Sequence, residues 1–190
     1  MYNKDFYARC VSKYGEFAKE VIPVLIEQLN PKSVVDIGCG AGMYIKSFYD
    51  QGVDVVGYEG NTEAKTYGLL PEKVIIHDVR EKLTFDRKFD LCMCVEVAEH
   101  IPDSKALELL NTLCSASDSI LFTAAKIGQS GSDHINCQNE EYWINKFKEL
   151  NYVFDQSVRD SIKQQIKTLP SFQPDSNFFY RNLMIFKKTN

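Results

Sequence analysis

The sequence predicts an α/β fold in which helices cover both faces of a parallel β-sheet. Two observations carry this prediction. Short apolar runs that suit strands alternate along the chain with longer segments that repeat apolar residues at helical spacing. Several of the short runs are apolar almost throughout, as expected of strands that are buried on both faces. At 190 residues, the chain has the size of one domain with a substantial core.

The first third of the chain supplies two strands and two helices. Residues 4–29 repeat apolar side chains with a period close to 3.6 and predict a helix, which Pro23 is expected to break or kink. The apolar runs at 33–37 and 53–58 predict strands, and the segment 43–49 between them predicts a helix.

The middle of the chain continues the alternation. Further strands are predicted at 73–77, 89–95 and 118–123. The segment 103–116 places its leucines on one face and begins with Asp103, a suitable N-cap, so it predicts a helix.

The last third of the chain changes character. Residues 124–139 are small and polar, and they predict a loop that is long enough to suggest a functional role. A helix is predicted at 140–149. Strands near 152–158 and 180–187 then bracket a helix at about 159–168.

Composition and charge exclude several classes of protein. The formal net charge is −4, and no block of lysine and arginine exceeds two residues, which argues against a broad surface for nucleic acid or anionic lipid. No apolar run approaches the ~20 residues that cross a bilayer. Residues 1–7 lack the apolar core of a signal peptide, so we expect a cytoplasmic protein.

The six cysteines form neither a disulfide pattern nor a zinc pattern. Cys92 and Cys94 lie two residues apart in a predicted strand, so their side chains should point to the same face. No C-x-x-C motif or His/Cys cluster at zinc spacing is present. We therefore expect free thiols that pack as small apolar groups.

A glycine-rich turn follows the first predicted strand. Residues 36–42 read DIGCGAG, with Gly38, Gly40 and Gly42 at alternate positions. A dinucleotide-binding G-x-G-x-x-G turn would have its third glycine where this chain has Met43. A carboxylate at Asp36 would be unfavourable beside a pyrophosphate, but it suits a ligand with an ammonium and a sulfonium group.

These motifs resemble those of class I S-adenosylmethionine-dependent methyltransferases. The run DIGCGAG is similar to the family's motif I, and Glu59 follows Asp36 by 23 residues at the end of the second strand. His77 and Asp78 end the third strand, and residues 89–102 (FDLCMCVEVAEHIP) resemble the fourth-strand motif. The resemblance covers residues 33–123. It implies a Rossmann-like three-layer sandwich, whose seven-stranded, mostly parallel sheet has an antiparallel last strand.

The resemblance also implies the cofactor, S-adenosyl-L-methionine, and the residues that bind it. Glu59 would accept hydrogen bonds from both ribose hydroxyls, and Asp78 would meet the adenine amino group. The methionine moiety would lie across residues 38–40, with Glu96 facing the reaction centre. Asp78 could instead be a turn residue, and Glu96 could cap a helix. The full predicted set is Asp36, Gly38, Cys39, Gly40, Glu59, Gly60, Asp78, Val79 and Glu96.

Two histidines are candidate catalytic residues. Methyl transfer to a hydroxyl group benefits from a general base, and histidine has a suitable pKa. His134 lies in the polar loop after the fifth strand, where such sheets form their ligand crevice. His100 follows the fourth strand in the same region. The alternatives are a solvated loop residue for His134 and a structural role for His100.

The acceptor is predicted from a narrower resemblance. Residues 132–147 (SDHINCQNEEYWINKF) and 179–186 (FYRNLMIF) are similar to small bacterial and viral methyltransferases that accompany glycan biosynthesis genes. A hydroxyl of a sugar or related small molecule is thus the expected acceptor, with no nucleic-acid or membrane partner. Asp133, Asn136 and Glu96 could hold Mg²⁺, but no spacing requires a metal, so no metal ligand is assigned and metal dependence stays open.

We expect residues 1–190 to form a single domain, with a helical cover (1–30), a cofactor-binding core (33–123) and an acceptor loop with C-terminal strands (124–190). The chain could be one module of a larger transferase. Three alternatives remain: a small-molecule N- or C-methyltransferase, a non-catalytic cofactor-binding subunit and an NAD-dependent enzyme. The run 96–100 (EVAEH) replaces the Asn/Asp-Pro-Pro-Tyr/Phe motif of many amino-group methyltransferases.

Overall fold

The computed structural model describes residues 3–189. Within them, the strands are β1 (Ser33–Ile37), β2 (Asp54–Glu59), β3 (Val74–Ile76), β4 (Leu91–Val95), β5 (Ser119–Thr123), β6 (Tyr152–Phe154) and β7 (Met184–Lys188). They form one sheet in the order β3-β2-β1-β4-β5-β7-β6. Strand β7 runs antiparallel to its neighbours β5 and β6, and the other neighbouring strands are parallel. The predicted mostly parallel sheet with an antiparallel last strand is confirmed.

The helices cover both faces of this sheet. They are α1 (Lys4–Leu29), α2 (Met43–Asp50), α3 (Ala64–Tyr67), α4 (Asp103–Ala116), α5 (Glu140–Glu149), α6 (Gln156–Ile166) and α7 (Phe178–Asn182), with 3₁₀ turns at Pro71–Lys73 and Ala98–His100. One core lies between the sheet and helices α1, α2 and α6, and a second core lies between the sheet and helices α4 and α5. No helix within residues 3–189 has both the length and the apolar character to cross a bilayer.

Strand β4 shows how one apolar run supplies both cores. Leu91 and Met93 belong to the first core, whereas Cys92 and Cys94 belong to the second. Successive side chains of a strand point to opposite faces, so a strand covered on both sides must be apolar throughout. The two cysteines share a face as predicted, and all six cysteines are free.

The break that was one of the two outcomes predicted at Pro23 is absent from helix α1. The helix runs from Lys4 to Leu29 without a break, from an Asn3 cap to Asn30 in the left-handed region with φ 47°. A proline inside a helix removes one backbone hydrogen bond. Here Val21, Ile22 and other residues around the proline are buried against the first core. The free energy gained by burying this face of the helix outweighs the missing hydrogen bond. The spacing of apolar residues in the sequence does not show this burial.

Two side-chain caps shift the predicted elements near the C-terminus. The predicted strand at 152–158 ends at Phe154, because the Asp155 carboxylate accepts a hydrogen bond from the Val158 amide (3.0 Å) and starts α6. The predicted strand at 180–187 starts late, because Asn177 caps α7 through the Tyr180 amide (2.8 Å). Aspartate and asparagine at these positions compete with the extended backbone for the amide groups.

Replacing Phe186 with alanine tests the second core. The Phe186 ring is fully buried and stacks on Phe147, with ring centroids 3.9 Å apart. We expect the F186A variant to lose about 3–5 kcal/mol of unfolding free energy in urea titrations, because the cavity cannot close fully. The control is Val153→Ala on neighbouring β6, where the side chain is half exposed and the loss should stay below about 1 kcal/mol. Equal losses in the two variants would contradict this packing.

Candidate active site

The carboxyl ends of β1, β2 and β4 meet at one edge of the sheet. The chain leaves β1 toward β2 on one side, and β4 pairs with the other side of β1. Such a reversal of strand order opens a crevice where α/β proteins bind ligands. Asp36 lies near the end of β1, Glu59 ends β2, and Glu96 follows β4. The fold therefore brings these three predicted acids to the same crevice.

The glycine turn is fixed to the neighbouring strand by backbone hydrogen bonds. The amides of Gly38 and Cys39 both donate to the Tyr58 carbonyl oxygen (2.8 and 3.0 Å). Gly38 has φ 81°, and a Cβ atom there would lie 2.4 Å from Cγ2 of Val97. This position requires glycine for both its conformation and its space.

The Cys39 side chain is buried against β2. A Cβ atom added at Gly57 would lie only 2.6 Å from the Cys39 Sγ atom, so the thiol packs directly on this strand. Burial, followed by the charge of Asp36, raises the pKa of this thiol well above its ordinary range.

Two backbone amides hold the Glu59 carboxylate. Gly40 donates to Oε2 (2.8 Å), and Asn61 donates to Oε1 (2.9 Å). Each oxygen keeps a lone pair, so the carboxylate can still accept hydrogen bonds from two adjacent hydroxyl groups. Gly60 lies next to the end of β3, because a Cβ atom there would be 3.8 Å from the Asp78 Cα atom.

The Asp78 side chain is paired within the chain. Its carboxylate forms a bidentate pair with Arg80, through Nε to Oδ1 (2.9 Å) and Nη2 to Oδ2 (2.6 Å). This guanidinium lowers the pKa of Asp78 to about 2. The strand pattern did not predict this neighbour, and the contact of Asp78 with an adenine amino group stays a prediction. Val79 packs against the second core.

Asp36 is a buried acid that lowers the stability of the ligand-free protein. Only 1% of its surface is exposed, and its Oδ1 atom has no hydrogen-bond partner. Burial, together with the Glu59 carboxylate, raises the pKa of Asp36 to about 7. A buried carboxylate without a partner destabilises the folded state, and such groups concentrate at functional sites. A cationic ligand would supply the missing partner.

Two tyrosines, on α1 and α2, are influenced by the acids at this edge of the sheet. Burial, followed by the charges of Asp36 and Glu96, raises the pKa of Tyr44. Burial and the charge of Glu59 likewise raise the pKa of Tyr7. Tyr14, on the predicted helical cover, also raises the pKa of Tyr44. Neither Tyr7 nor Tyr44 was among the predicted site residues, since each fits the apolar face of its helix.

Both predicted catalytic histidines belong to one cluster with Glu99, which we call the acid–histidine cluster. One ligand atom from each of Glu99, His100 and His134 lies within 4.8 Å of the others. Glu99 is completely buried, and neither carboxylate oxygen has a partner with full hydrogen-bond geometry, although the Glu99 and Ala125 backbone and the Glu96 side chain approach it. Burial, followed by the charge of Glu96, raises the pKa of Glu99 to about 8. The His134 Nε2 atom is 4.0 Å from Glu99 Oε1.

The long polar loop folds back to build this cluster. The amides of Ile135 and Asn136 both donate to the Glu99 carbonyl oxygen, each at 2.9 Å. His100 Nδ1 lies 3.1 Å from the Asp133 carbonyl oxygen, and His134 Nδ1 lies 3.3 Å from the Gln129 carbonyl oxygen. A carbonyl oxygen only accepts, so in a neutral histidine these contacts favour a proton on Nδ1 and a lone pair on Nε2. The Cys137 Sγ atom also lies 3.6 Å from His134 Nδ1. Burial also lowers the pKa of His100.

The sequence did not identify Glu99 as a member of this group. Asp133 and Asn136, considered there as Mg²⁺ ligands, take other roles: Asp133 presents its carbonyl to His100, and the Asn136 Oδ1 atom accepts from Gln138 (2.9 Å). The spacing of Glu96, Glu99 and His100 was visible in the sequence. The return of the loop, which brings His134 to Glu99, was not.

Comparison with known proteins agrees with this geometry. Residues 10–156 match the family described as a methyltransferase domain. The chain belongs to this methyltransferase family. Membership confirms the predicted class I S-adenosylmethionine-dependent methyltransferase and its cofactor, S-adenosyl-L-methionine.

Individual relatives are distant. The methyltransferase is 27% identical over 126 residues to a ubiquinone biosynthesis O-methyltransferase of Colwellia psychrerythraea, covering 57% of this chain and 50% of that enzyme. A similar enzyme of Histophilus somni is 31% identical over 87 residues, covering 40% of this chain and 37% of that enzyme. The chain thus spans half or less of the length of these curated relatives.

Among solved structures, a SAM-dependent methyltransferase from Archaeoglobus fulgidus superposes with a TM-score of 0.68 at 16% identity, covering 96% of this chain and 99% of that one. At this level of identity the likeness shows the fold alone. It agrees with the Rossmann-like architecture that was predicted from the sequence.

Asp36 should make the ligand-free methyltransferase less stable at high pH. Between the pKa of about 3.9 in the unfolded chain and the raised folded value, the folded state retains a proton that the unfolded chain has released, so unfolding becomes easier as pH rises. We expect D36N to exceed the wild type by about 3 kcal/mol in urea unfolding at pH 8 and to match it near pH 4. The exposed Asp86→Asn change is the control, and equal pH profiles for all three proteins would contradict the prediction.

Proposed function

We propose that this methyltransferase transfers the methyl group of S-adenosyl-L-methionine to a hydroxyl group of a sugar or a related small molecule. One observation carries the proposal: the adjacent parallel strands β1 and β4 lead to the unpartnered Asp36 oxygen and to the acid–histidine cluster at the same edge of the sheet. The O-methyltransferase activity in the names of the curated relatives supports oxygen as the acceptor atom. Residues 132–147 and 179–186 support the sugar, because they resemble methyltransferases that accompany glycan biosynthesis genes.

The cofactor would occupy the side of the crevice formed by β1 and β2. When bound, it supplies an electrophilic methyl group on a sulfonium. In this proposal Asp36 accepts a hydrogen bond from its ammonium group, Glu59 accepts hydrogen bonds from its ribose hydroxyls, and the backbone of residues 38–40 approaches the methionine moiety. Gly60, Asp78, Val79 and Glu96 complete the predicted contacts. Cofactor binding thus falls within residues 33–123 and acceptor binding within 124–190, with helix α1 as a cover.

His134 is the proposed general base. Its Nδ1 atom lies 3.3 Å from the Gln129 carbonyl oxygen, and Nε2, which packs against Gly131, would carry the lone pair that accepts the proton of an attacking hydroxyl. The imidazolium that forms would lie 4.0 Å from Glu99 Oε1, and its charge would favour release of the Glu99 proton, whose pKa burial raises to about 8. His100 is the second candidate, since it shares the cluster.

A divalent cation is a second candidate partner for the same cluster. Its members fit a cation, because Glu99 has two unpartnered oxygens and the two histidines each offer a nitrogen. A cation bound there would polarise the acceptor hydroxyl and lower its pKa. The cluster would then act through its ligand atoms, and His134 would not take the proton.

Cofactor binding is tested by removing its two most specific contacts. G38A should abolish S-adenosylhomocysteine binding in calorimetry, because the added Cβ atom meets Val97 and displaces the turn. E59A should abolish it because the ribose loses its acceptor. The control is Gly52→Ala, which has the same left-handed conformation (φ 80°) but open space around it and lies outside the crevice. Wild-type affinity in both G38A and E59A would contradict the assignment.

The role of His134 requires an acceptor, so the first step is a screen of monosaccharides and nucleotide sugars with radiolabelled cofactor. With the acceptor that is found, H134A should keep its cofactor affinity and lose at least ~100-fold in turnover. His77→Ala is the control, since the His77 Nε2 atom lies near the Glu81 carbonyl (3.3 Å) outside the cluster. Unchanged turnover in H134A would show that His134 is not the general base. The base would then be His100, or the reaction would proceed without one.

Chelation separates the two uses of the cluster. If His134 acts as a base alone, dialysis against EDTA should leave turnover unchanged. If the cluster holds a cation, turnover should fall and should return on adding Mg²⁺, Mn²⁺ or Zn²⁺. Methylation found on nitrogen or carbon would favour the alternative N- or C-methyltransferase, and binding without turnover on any acceptor would favour a non-catalytic subunit.

A further inference from the structure

Glu96 adopts a constrained conformation after β4. Its backbone has φ 53°, which lies in the left-handed region. Residues other than glycine and asparagine seldom adopt this backbone conformation. The Glu96 amide donates to both the carbonyl oxygen (3.1 Å) and the Oγ1 atom (2.9 Å) of Thr123, which hold this conformation. Strain of this kind is retained where the surrounding structure fixes a side chain in place.

Two amide side chains complete the fixation of Glu96. Gln129 Nε2 donates to Glu96 Oε2 (2.9 Å), and Asn182 Nδ2 donates to Glu96 Oε1 (3.0 Å). The same Asn182 nitrogen also donates to Gln129 Oε1 (3.0 Å), which closes a ring that we call the carboxylate–amide ring. Turning either amide over would place oxygen against oxygen, so the ring fixes both amides and both carboxylate oxygens.

Stability alone does not explain Asn182. The residue is 1% exposed, and its Oδ1 atom has no hydrogen-bond partner. Leaving a buried acceptor unpaired lowers stability. Helix α7 brings Asn182 to this place through Phe179, whose ring packs on Phe17 (centroids 5.5 Å apart) and Tyr44 (5.6 Å). Helix α7 thus places the Asn182 amide beside Glu96, although burying this amide does not stabilise the core.

The ring lies beside the glycine turn. Strand β4 pairs with β1 in parallel, so Glu96, which follows β4, lies at the same sheet edge as Asp36. The next residue, Val97, packs on Gly38, where an added Cβ atom would lie 2.4 Å from the Val97 Cγ2 atom. In the proposed binding mode, the sulfonium of the cofactor lies between this turn and the acid–histidine cluster.

We propose that Gln129 and Asn182 are positioning residues, which fix the Glu96 carboxylate beside the sulfonium end of the bound cofactor so that its charge favours the cationic cofactor over the neutral product. This inference rests on the proposed function. The carboxylate interacts with a positive charge before transfer and with none afterwards, so the ring promotes exchange of product for fresh cofactor.

The test compares two ligands that need no acceptor: neutral S-adenosylhomocysteine and sinefungin, which carries a protonated amine where the cofactor carries its methyl group. Calorimetry gives the ratio of their affinities. In Q129A and N182A this ratio should shift toward S-adenosylhomocysteine by about fivefold relative to wild type. The affinity for S-adenosylhomocysteine itself should change less than about twofold, because the remaining contacts are intact. Q129A also covers the case in which N182A fails to fold, since Gln129 is only partly buried.

The variants E96Q and E96Q/N182A decide whether the amides act through Glu96. E96Q should shift the ratio as N182A does, and the double variant should match E96Q, because the charge to be positioned is already gone. Gln173→Ala, an exposed amide on the segment before α7, should leave the ratio unchanged. Two results would overturn the positioning role but leave the proposed function intact. One is a shift of the affinity ratio in E96Q/N182A that equals the sum of the two single shifts, and the other is an equal loss of affinity for both ligands. A wild-type protein that binds neither ligand would overturn the proposed function itself.

Discussion

The site depends on one backbone constraint, the attachment of the glycine turn to β2. The amides of Gly38 and Cys39 share the Tyr58 carbonyl oxygen, and the turn leaves no room for a side chain at Gly38. This attachment brings the Gly40 amide to the Glu59 carboxylate, so the ends of β1 and β2 form one unit. A ligand that bridges the two strand ends therefore meets a preformed surface, and little ordering free energy is spent on binding.

The site also contains buried acids with unpartnered oxygens. Asp36 and Glu99 each lack hydrogen bonds that a stable core would provide, and burial raises the pKa of both. Folding free energy is lost at these positions, and a ligand that pairs with these acids would regain it on binding. Such acids differ from the surface pair of Asp78 and Arg80, which is satisfied within the chain itself. The unsatisfied acids mark the places where cofactor and acceptor chemistry are expected.

The C-terminal third connects these features. Its loop carries His134 to Glu99 and Gln129 to Glu96, and α7 adds Asn182. Two separate segments, the loop and α7, thus surround two glutamates that lie only three residues apart after β4. The candidate site therefore combines residues from the first and the last third of the chain with the end of β4.

The sequence by itself determined the sheet, its flanking helices and the cofactor turn, because burial on both faces and positive φ at glycine leave local patterns in the residues. It did not determine the path of α1 through Pro23 or the early ends of the C-terminal strands, where packing and side-chain caps outweighed periodicity. Only the tertiary structure decided that Asp78 pairs with Arg80 and that Glu99, Gln129 and Asn182 join the site. Those contacts join residues on separate elements, and long-range packing leaves no local periodicity in the sequence.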